Sequence, residues 1–326
     1  MAFVRGMLSG IQARGVQTRP FLVDSGIDPD LLEEASARVT GEQYVALFRL
    51  LVDRRDDDGL AFFSRPLPRG SFALIVRSGL GAPSLGVAMR RMARTLRLLQ
   101  DDVELVPLRE DGLAGWGLRF KLDGAGQPNF MHEMLLRIFW RTLAWLIAAR
   151  LPAARFDLAF DCPPYAGSYR HVLPGELRFS QAQSAFWFDA QALGAPIRRD
   201  EAALRAFIAD VQWNIVLPRR KDDDVSTRVR LHLQGAVPAW PDLAGTAQAL
   251  HMSVSTLQRH LAAEQTTFQA LKDELRRDMA ITRLNTTTVP LAVLASELGF
   301  SDSAAFQRAF KCWTGSPPGA YRRGAG

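Results

Sequence analysis

Leu243-Ala244-Gly245-Thr246-Ala247-Gln248-Ala249-Leu250, then Ser253 and Leu257-Gln258-Arg259-His260-Leu261, sets out a pattern that the chain uses twice. It returns as Leu291-Ala292-Val293-Leu294-Ala295-Ser296-Glu297-Leu298, then Ser301 and Phe306-Gln307-Arg308-Ala309-Phe310. Leu291 lies 48 residues after Leu243 and Arg308 lies 49 after Arg259, so the second copy carries one inserted residue, placed between Ser301 and Phe306. In each copy Leu and Ala at i, i+4 and i+7 form a narrow apolar stripe on a first helix. The small residue in mid-stripe lets a second helix cross closely. Ser253 and Ser301 suit the N-cap of that second helix, because a serine oxygen can accept from the free N–H groups of the first turn. Gly299 suits the left-handed position that ends a helix.

A helix, a short turn and a capped second helix is the helix-turn-helix signature. In such a unit the second helix enters the DNA major groove with its N-terminal turns against base edges. Both second helices carry Gln-Arg within two turns of the cap. Arginine can donate two parallel bonds to guanine, and glutamine can pair with adenine through both its donor and its acceptor. One Gln-Arg pair would read as a solvated helix face; the same pair at matching positions of two such units reads as base recognition.

Three further runs carry a resemblance. They are Ala295-Ser296-Glu297-Leu298-Gly299-Phe300-Ser301-Asp302, Phe306-Gln307-Arg308-Ala309-Phe310-Lys311 and Gly315-Ser316-Pro317-Pro318-Gly319-Ala320-Tyr321-Arg322. With Leu257-Gln258-Arg259, they make residues 226–323 resemble the DNA-binding domain of AraC-type (AraC/XylS) transcription regulators. The resemblance implies two helix-turn-helix units joined by a long helix and reading adjacent major-groove segments on one face of the DNA. Carried over by position, it assigns base contacts to Ser255, Thr256, Gln258 and Arg259 in the first unit. In the second unit it assigns them to Ser303, Gln307 and Arg308, with Lys311 nearer phosphate. Family members often have a large aromatic or basic residue where Ser255 and Thr256 stand, and the shorter side chains imply fewer bases read by the first unit. Ala304 and Ala305 thin out the second reading helix in the same way.

A chain of 326 residues is too long for one helix-turn-helix module and long enough for two domains, and 48% hydrophobic residues support sizeable cores. The net charge of +6 permits nucleic-acid binding. Its distribution is more telling: residues 226–326 hold 11 Lys+Arg against 7 Asp+Glu, whereas residues 1–225 hold 29 against 27, so the smaller part carries most of the excess. Cys162 and Cys312 are the only cysteines, and neither has a His or Cys at ligand spacing. Two lone thiols suit a reducing compartment. Arg5 and Gly6 interrupt any secretory apolar core, and Arg137 and Arg141 break the longest apolar run, Leu135 to Ala149. The expectation is a cytoplasmic protein with no membrane span, no metal and no cofactor.

Upstream, Val4, Met7, Leu8 and Ile11 share one helical face. Asp28-Pro29 reads as a cap and first helical residue for a helix over 30–37. Thr40-x-x-Gln43 reads as a capping box opening a helix with Tyr44, Leu47, Phe48 and Leu51 inward. Arg54-Arg55-Asp56-Asp57-Asp58-Gly59 reads as a solvated charged turn. Helices are expected over 71–79 and 84–99, the second with a basic face of Arg90, Arg91, Arg94 and Arg97. Beyond Asp101 the apolar period shortens to two, and a Glu110-Asp111-Gly112 turn joins two strands. A long helix over 129–150 follows, then strands over 155–160, 177–179 and 185–188 and a helix over 199–211. Asp157 and Asp161 are expected on one strand and one face. Leu217-Pro218-Arg219-Arg220-Lys221-Asp222-Asp223-Asp224 reads as an interdomain linker.

The expected architecture is two domains. Residues 1–217 form an α+β domain of helices plus a small antiparallel sheet, residues 218–225 a linker, and residues 226–326 an all-α domain with two helix-turn-helix units. Pro68-Arg69-Gly70-Ser71-Phe72, the run from Leu85 to Met92 and on to Leu99, and the Phe179 to Phe188 region resemble the N-terminal sensory domain of one branch of AraC-type regulators, the arabinose-binding-domain-like one. That resemblance implies a small-molecule effector domain; a homodimer, and RNA polymerase as partner of an activator, are further expectations. A pocket lined by Trp116, Phe139, Trp140 and Trp145 would favour a sensor. A regulator controlled by its abundance alone, or an enzyme carried on a DNA-binding module, are the alternatives. No Gly-x-Ser-x-Gly, His-Glu-x-x-His, Cys-x-x-Cys or phosphate loop supports the enzyme.

Overall fold

The shortened period after Asp101 is realised as a five-stranded sheet: β1 (Val103–Glu110), β2 (Leu113–Phe120), β3 (Arg155–Asp157), β4 (Glu176–Arg178) and β5 (Ser184–Asp189), in the order β1-β2-β5-β3-β4. The computed structural model describes residues 1–34, 37–121, 128–209, 225–264 and 266–322. β1 and β2 close on Asp111 and Gly112, with φ of 44° and 79°. Two successive left-handed residues are what a type I′ hairpin turn requires, which explains the acidic-Gly pair. The sheet is mixed rather than wholly antiparallel, since β3 and β4 run parallel. A 3-10 turn at Ala166–His171 lies in the connection between them, and a parallel neighbour needs a crossover of that length.

The helices are α1 (Ala2–Gln12), α2 (Arg19–Asp24), α3 (Gly41–Arg55), α4 (Ser71–Gly79), α5 (Leu85–Leu99), α6 (Asn129–Leu146), α7 (Glu201–Ala209), α8 (Val225–Gly235), α9 (Leu243–Ala249), α10 (Val254–Ala263), α11 (Phe268–Thr286), α12 (Leu291–Glu297) and α13 (Ser303–Thr314). The expected capping box is formed: Thr40 N–H donates to Gln43 Oε1 at 2.9 Å and Gln43 N–H to Thr40 Oγ1 at 3.1 Å. Asp28 caps as expected, accepting from Asp30 N at 3.0 Å, but the element it opens is a short 3-10 helix, Pro29–Glu33. The linker expected at 218–225 falls outside the described residues except for Val225.

Packing does not follow a single cut through the chain. Residues 2–18 and 45–218 cluster as one compact unit; Met1, residues 19–44 and residues 219–326 cluster as the other. Within the latter, Tyr321 Oη accepts from Arg38 N at 2.9 Å and donates to Arg38 O at 3.1 Å, and Asn285 Nδ2 donates to Gly26 O at 3.2 Å.

In the sheet-containing unit the core lies between β2, β5 and α6. Trp116 on β2 is fully buried, edge-on to Phe139 of α6 at 5.5 Å and to Phe186 of β5 at 6.3 Å. α6 is enclosed along most of its length and carries His132, Glu133 and Arg137 into that interior. Buried polar groups need partners. Glu133 Oε1 accepts from Tyr165 Oη at 3.0 Å and from Tyr169 Oη, and its pKa is raised by burial, opposed by those two bonds. His132 Nδ1 lies 2.8 Å from Ser184 Oγ, with Phe120 and Phe160 edge-on to its ring.

The aspartate turn at 56–58 is not the solvated feature its charge suggests. Asp57 is 3% exposed and accepts from the N–H groups of Gly59, Ala61 and Leu67 at 2.8–2.9 Å. Asp58 accepts from Gly70 N and Phe72 N, closing the start of α4. Asp57 thus satisfies main-chain amides of a tight loop, and Asp58 satisfies free amides at the start of α4. Asp157 and Asp161 do not share a strand either. β3 ends at Asp157, which accepts from Trp187 Nε1 at 2.6 Å and pairs with Arg155, whereas Asp161 accepts from Ser180 Oγ at 2.7 Å beyond the strand.

Burial lowers the His132 pKa to about 4, below the ordinary 6.5. A group whose folded pKa is depressed contributes stability fully present above about 6.5 and lost as pH falls toward about 4. The His132 ring is therefore expected to remain neutral at pH 5.5 in side-chain NMR, and His132→Leu to lose less stability than the parent between pH about 6.5 and about 4. A ring that titrates near 6.5 contradicts the buried placement.

Candidate nucleic-acid interface

Each helix-turn-helix unit begins with how its turn satisfies two helix ends at once. In the first, Asp242 accepts from Gly245 N at 2.8 Å and opens α9, whose C-cap is Leu250. His251 then takes φ of 56°, and Ser253 Oγ accepts from Thr256 N at 3.1 Å to open α10. In the second, α12 has Leu298 as its C-cap, Gly299 takes φ of 72°, and Asp302 Oδ1 accepts from Ala305 N at 2.7 Å to open α13. The cap is thus Asp302 and not Ser301. Ser253 matches Asp302 at an offset of 49, whereas His251 matches Gly299 at 48. The inserted residue is therefore Ser301, in the turn ahead of the helix rather than inside its start. The Ala305 N–H and the Ser301 hydroxyl hold the Asp302 carboxyl below the usual range, as suits a carboxylate at a helix N-terminus.

The helix backs match across the copies. Leu257 and Leu261 are buried beneath α10; Phe306 and Phe310 are buried beneath α13. The mid-stripe residues Ala247 and Ala295 are each 1% exposed, the small side chains at the crossing. The front of α10 presents Ser255, Gln258 and Arg259 to solvent, and the front of α13 presents Gln307, Arg308 and Lys311. Ser255 and Thr256 do not stand free: Ser253 Oγ lies 3.0 Å from Ser255 Oγ and donates to Thr256 Oγ1 at 2.8 Å. Ser303 accepts from Gln307 Nε2 at 3.2 Å. Among the described residues the side chains of Gln258, Arg259, Arg308 and Lys311 make no hydrogen bond or close ion pair within the protein, and the Arg308 charge acts only at longer range on Asp302. Long donors with nothing to hold at home are what a phosphate and base-edge reader requires.

Several residues that carry no repeat signal hold these helices in place. Glu264, just past the end of α10, accepts from Val225 N at 2.9 Å and Ser226 N at 3.0 Å, capping α8. On the long helix α11, Lys272 donates to Trp240 O at 2.9 Å and Pro241 O at 3.1 Å. Arg283 forks onto Glu297 of α12. Arg276 lies against the rings of Trp240 and Phe300. Trp240 precedes the first repeat and its counterpart 48 residues on is Thr288, so comparing the copies gives no hint of it.

The four aromatic residues expected around a ligand are in the other unit, and two of them meet. Trp116 packs on Phe139, and its buried Nε1 has no hydrogen-bond partner among the described residues. Trp140 packs on Phe156 and donates from Nε1 to Leu151 O at 2.8 Å; Trp145 stacks on Phe207 at 4.3 Å with Arg199 beside it. Among the described residues, no group of His, Cys, Asp and Glu is arranged to hold a metal ion, and no helix is long and apolar enough to cross a membrane. Cys162 and Cys312 are both free and exposed.

Residues 15–197 match the family described as the arabinose-binding domain of AraC transcription regulator, N-terminal, and residues 246–324 match a helix-turn-helix domain. The ornithine utilization regulator of Pseudomonas aeruginosa is 25% identical over 323 residues, covering 99% of this chain and 95% of that protein. The arabinose operon regulatory protein of Escherichia coli K12 is 35% identical over 85 residues, covering 26% of this chain and 29% of that protein. The crystal structure of the transcriptional regulator CdpR from Pseudomonas aeruginosa aligns at a TM-score of 0.35 with 20% identity, over 94% of this chain and 96% of that one.

Removing the Ser253 hydroxyl leaves the Thr256 N–H without its acceptor. Ser253→Ala is expected to cost about 1 kcal/mol, read as a lower denaturant midpoint at unchanged slope. An unchanged midpoint shows that the cap contributes nothing to α10.

Proposed function

The chain belongs to the AraC family of transcription regulators, and from that premise we propose that Gln258, Arg259, Ser303, Gln307 and Arg308 read base edges. Ser255 and Thr256, which share the α10 cap, reach base edges in the first unit with their shorter side chains, and Lys311 neutralises a phosphate. The observation that carries this reading is the pair of exposed Gln-Arg fronts on two capped helices whose backs, Leu257 and Leu261, Phe306 and Phe310, are buried alike. Recognition helices read with their N-terminal turns, and both pairs fall there. Phosphate contacts supply affinity that falls with salt and is indifferent to sequence; base contacts supply the sequence preference.

We further propose that residues 1–217 hold a small-molecule effector and dimerise, that residues 218–225 link them to a reading domain over 226–326, and that the protein works in the cytoplasm. Trp116, Phe139, Trp140 and Trp145 are the candidate effector contacts. The buried, unpartnered Trp116 Nε1 supports this, because a donor without an acceptor suits a bound polar group. Effector binding biases the DNA-competent arrangement through its differential affinity for the two states. An activator of this kind also engages RNA polymerase. The work of the protein is binding, with no catalytic step.

On a duplex selected from random sequence with the full chain, Arg259→Ala is expected to cost about 1–3 kcal/mol and to relax preference at one base pair. Equal losses on selected and random DNA make Arg259 a phosphate contact instead. Lys311→Ala is expected to weaken all duplexes alike and to reduce the salt dependence by about one phosphate contact. A loss confined to the selected duplex contradicts that role.

The effector is sought by thermal shift on the full chain, because residues 19–44 pack with the C-terminal helices and a fragment cut at 217 divides a compact unit. The panel covers basic and other amino acids, acyl chains and aromatic acids. A saturable rise in Tm that Trp116→Phe weakens is the expected result. No shift with any of them points to control by abundance.

A further inference from the structure

Two reading helices on one chain recognise a composite site only if something sets the distance and rotation between them. Along α11, which joins the units, one guanidinium touches both. Arg276 Cζ lies 5.0 Å from the Trp240 ring centroid and 4.9 Å from that of Phe300, and its Nη2 donates to Gly299 O at 3.2 Å. Trp240 stands two residues before Asp242, the cap of the first unit. Phe300 lies in the turn of the second, packed against Phe306 at 5.7 Å and Trp313 at 5.8 Å on α13. The contact therefore runs from the entry of α9, through one side chain of α11, to the back of α13.

The surroundings are built around this contact. Trp240 is 5% exposed and holds φ of 47°, a strained value for a bulky residue that persists only where its neighbours enforce it. Its Nε1 donates to Glu297 O at 2.9 Å, so the first unit's tryptophan satisfies a carbonyl at the end of the second unit's α12. Gly299 meets two demands at once. Its φ is 72°, and a Cβ there would stand 2.8 Å from Trp240 Cδ1 and 3.0 Å from Arg276 Nη2. The matching position in the first unit, His251, keeps a side chain at φ of 56° and is exposed. Copies of one motif thus differ where Trp240 and Arg276 arrive, and the difference is a side chain that would block them.

We propose that Arg276 is a positioning residue that sets the spacing and phase of the DNA elements read by α10 and α13. This rests on the DNA-reading assignment above and adds what makes two readers act as one. A planar guanidinium can lie against aromatic faces and donate to a carbonyl in the same pose; an ammonium has no plane to stack. With the units locked, one base pair added between the two elements displaces one of them by about 3.4 Å and rotates it by about 35°. Locked readers cannot follow that change. Loosened readers follow it, but lose the high effective concentration that a fixed geometry gives the second contact.

The test uses the full chain and the duplex selected with it, together with versions carrying one base pair more or fewer between the two elements and a version with one element scrambled. The unaltered protein is expected to lose about tenfold or more on either spacing change. Arg276→Leu and Arg276→Lys are expected to bind the selected duplex about tenfold more weakly and to keep single-element affinity within about twofold. Both are expected to discriminate the spacing variants several-fold less than the parent. Phe300→Leu, which removes one of the two rings, reports the same quantities should the arginine variants not fold. A uniform loss on all duplexes, an unaltered spacing preference, or full recovery in Arg276→Lys overturns the proposal. Failure of the unaltered protein to select any duplex overturns the DNA reading itself, so the two failures are distinguishable.

Discussion

Two helices that meet across a turn of four or five residues present the chain with an accounting problem. The last carbonyls of one and the first amides of the next have no helical partners, and little chain is left to supply them. Each half of the reading unit solves this with a left-handed residue followed by a side-chain acceptor: His251 and Ser253 in the first, Gly299 and Asp302 in the second. Because the cap sets where α10 and α13 begin, it also sets which residues fall on their front faces. Gln258-Arg259 and Gln307-Arg308 stand at matching depth because each lies five and six residues beyond its cap.

The sheet-containing unit meets the same accounting in its interior. Asp57 gathers three main-chain amides of a tight loop, Glu133 receives two tyrosine hydroxyls, and His132 meets Ser184. Each group is costly to bury alone and tolerable once bonded. Among the described residues of this unit, Trp116 Nε1 is a donor inside the core with no acceptor.

Much of the architecture was legible because it rests on local periodicity. The β1–β2 hairpin announced itself by alternation and an Asp-Gly turn, α3 by its capping box, and the reading helices by a pattern repeated 48 to 49 residues apart. The exposed Gln-Arg fronts were equally legible, since their neighbours at i−1 and i+3 mark the buried side. Charge proved a poorer guide than periodicity. Asp56-Asp57-Asp58 looks solvated when counted as charge, yet Asp57 is buried because a carboxylate can also serve as acceptor for a loop's backbone. The direction of β4 was not legible, since a three-residue strand carries no mark of parallel or antiparallel pairing.

By itself the sequence determined the two-part organisation, the pair of helix-turn-helix units, the faces of their reading helices and the family to which the chain belongs. The faces of the reading helices follow from residue spacing within about a dozen positions, where helix and turn geometry permit few alternatives; the paired units follow from the repeat, the two-part organisation from chain length, and the family from the resemblance of whole runs of residues. Only the tertiary structure decided which oxygen caps α13, that residues 19–44 pack with the C-terminal helices, and that Arg276 joins Trp240 to Phe300. The cap is a choice between two adjacent residues, whereas the other two features depend on groups brought together across 24 residues or more of chain. No local period records such a meeting; it exists only once the helices have packed.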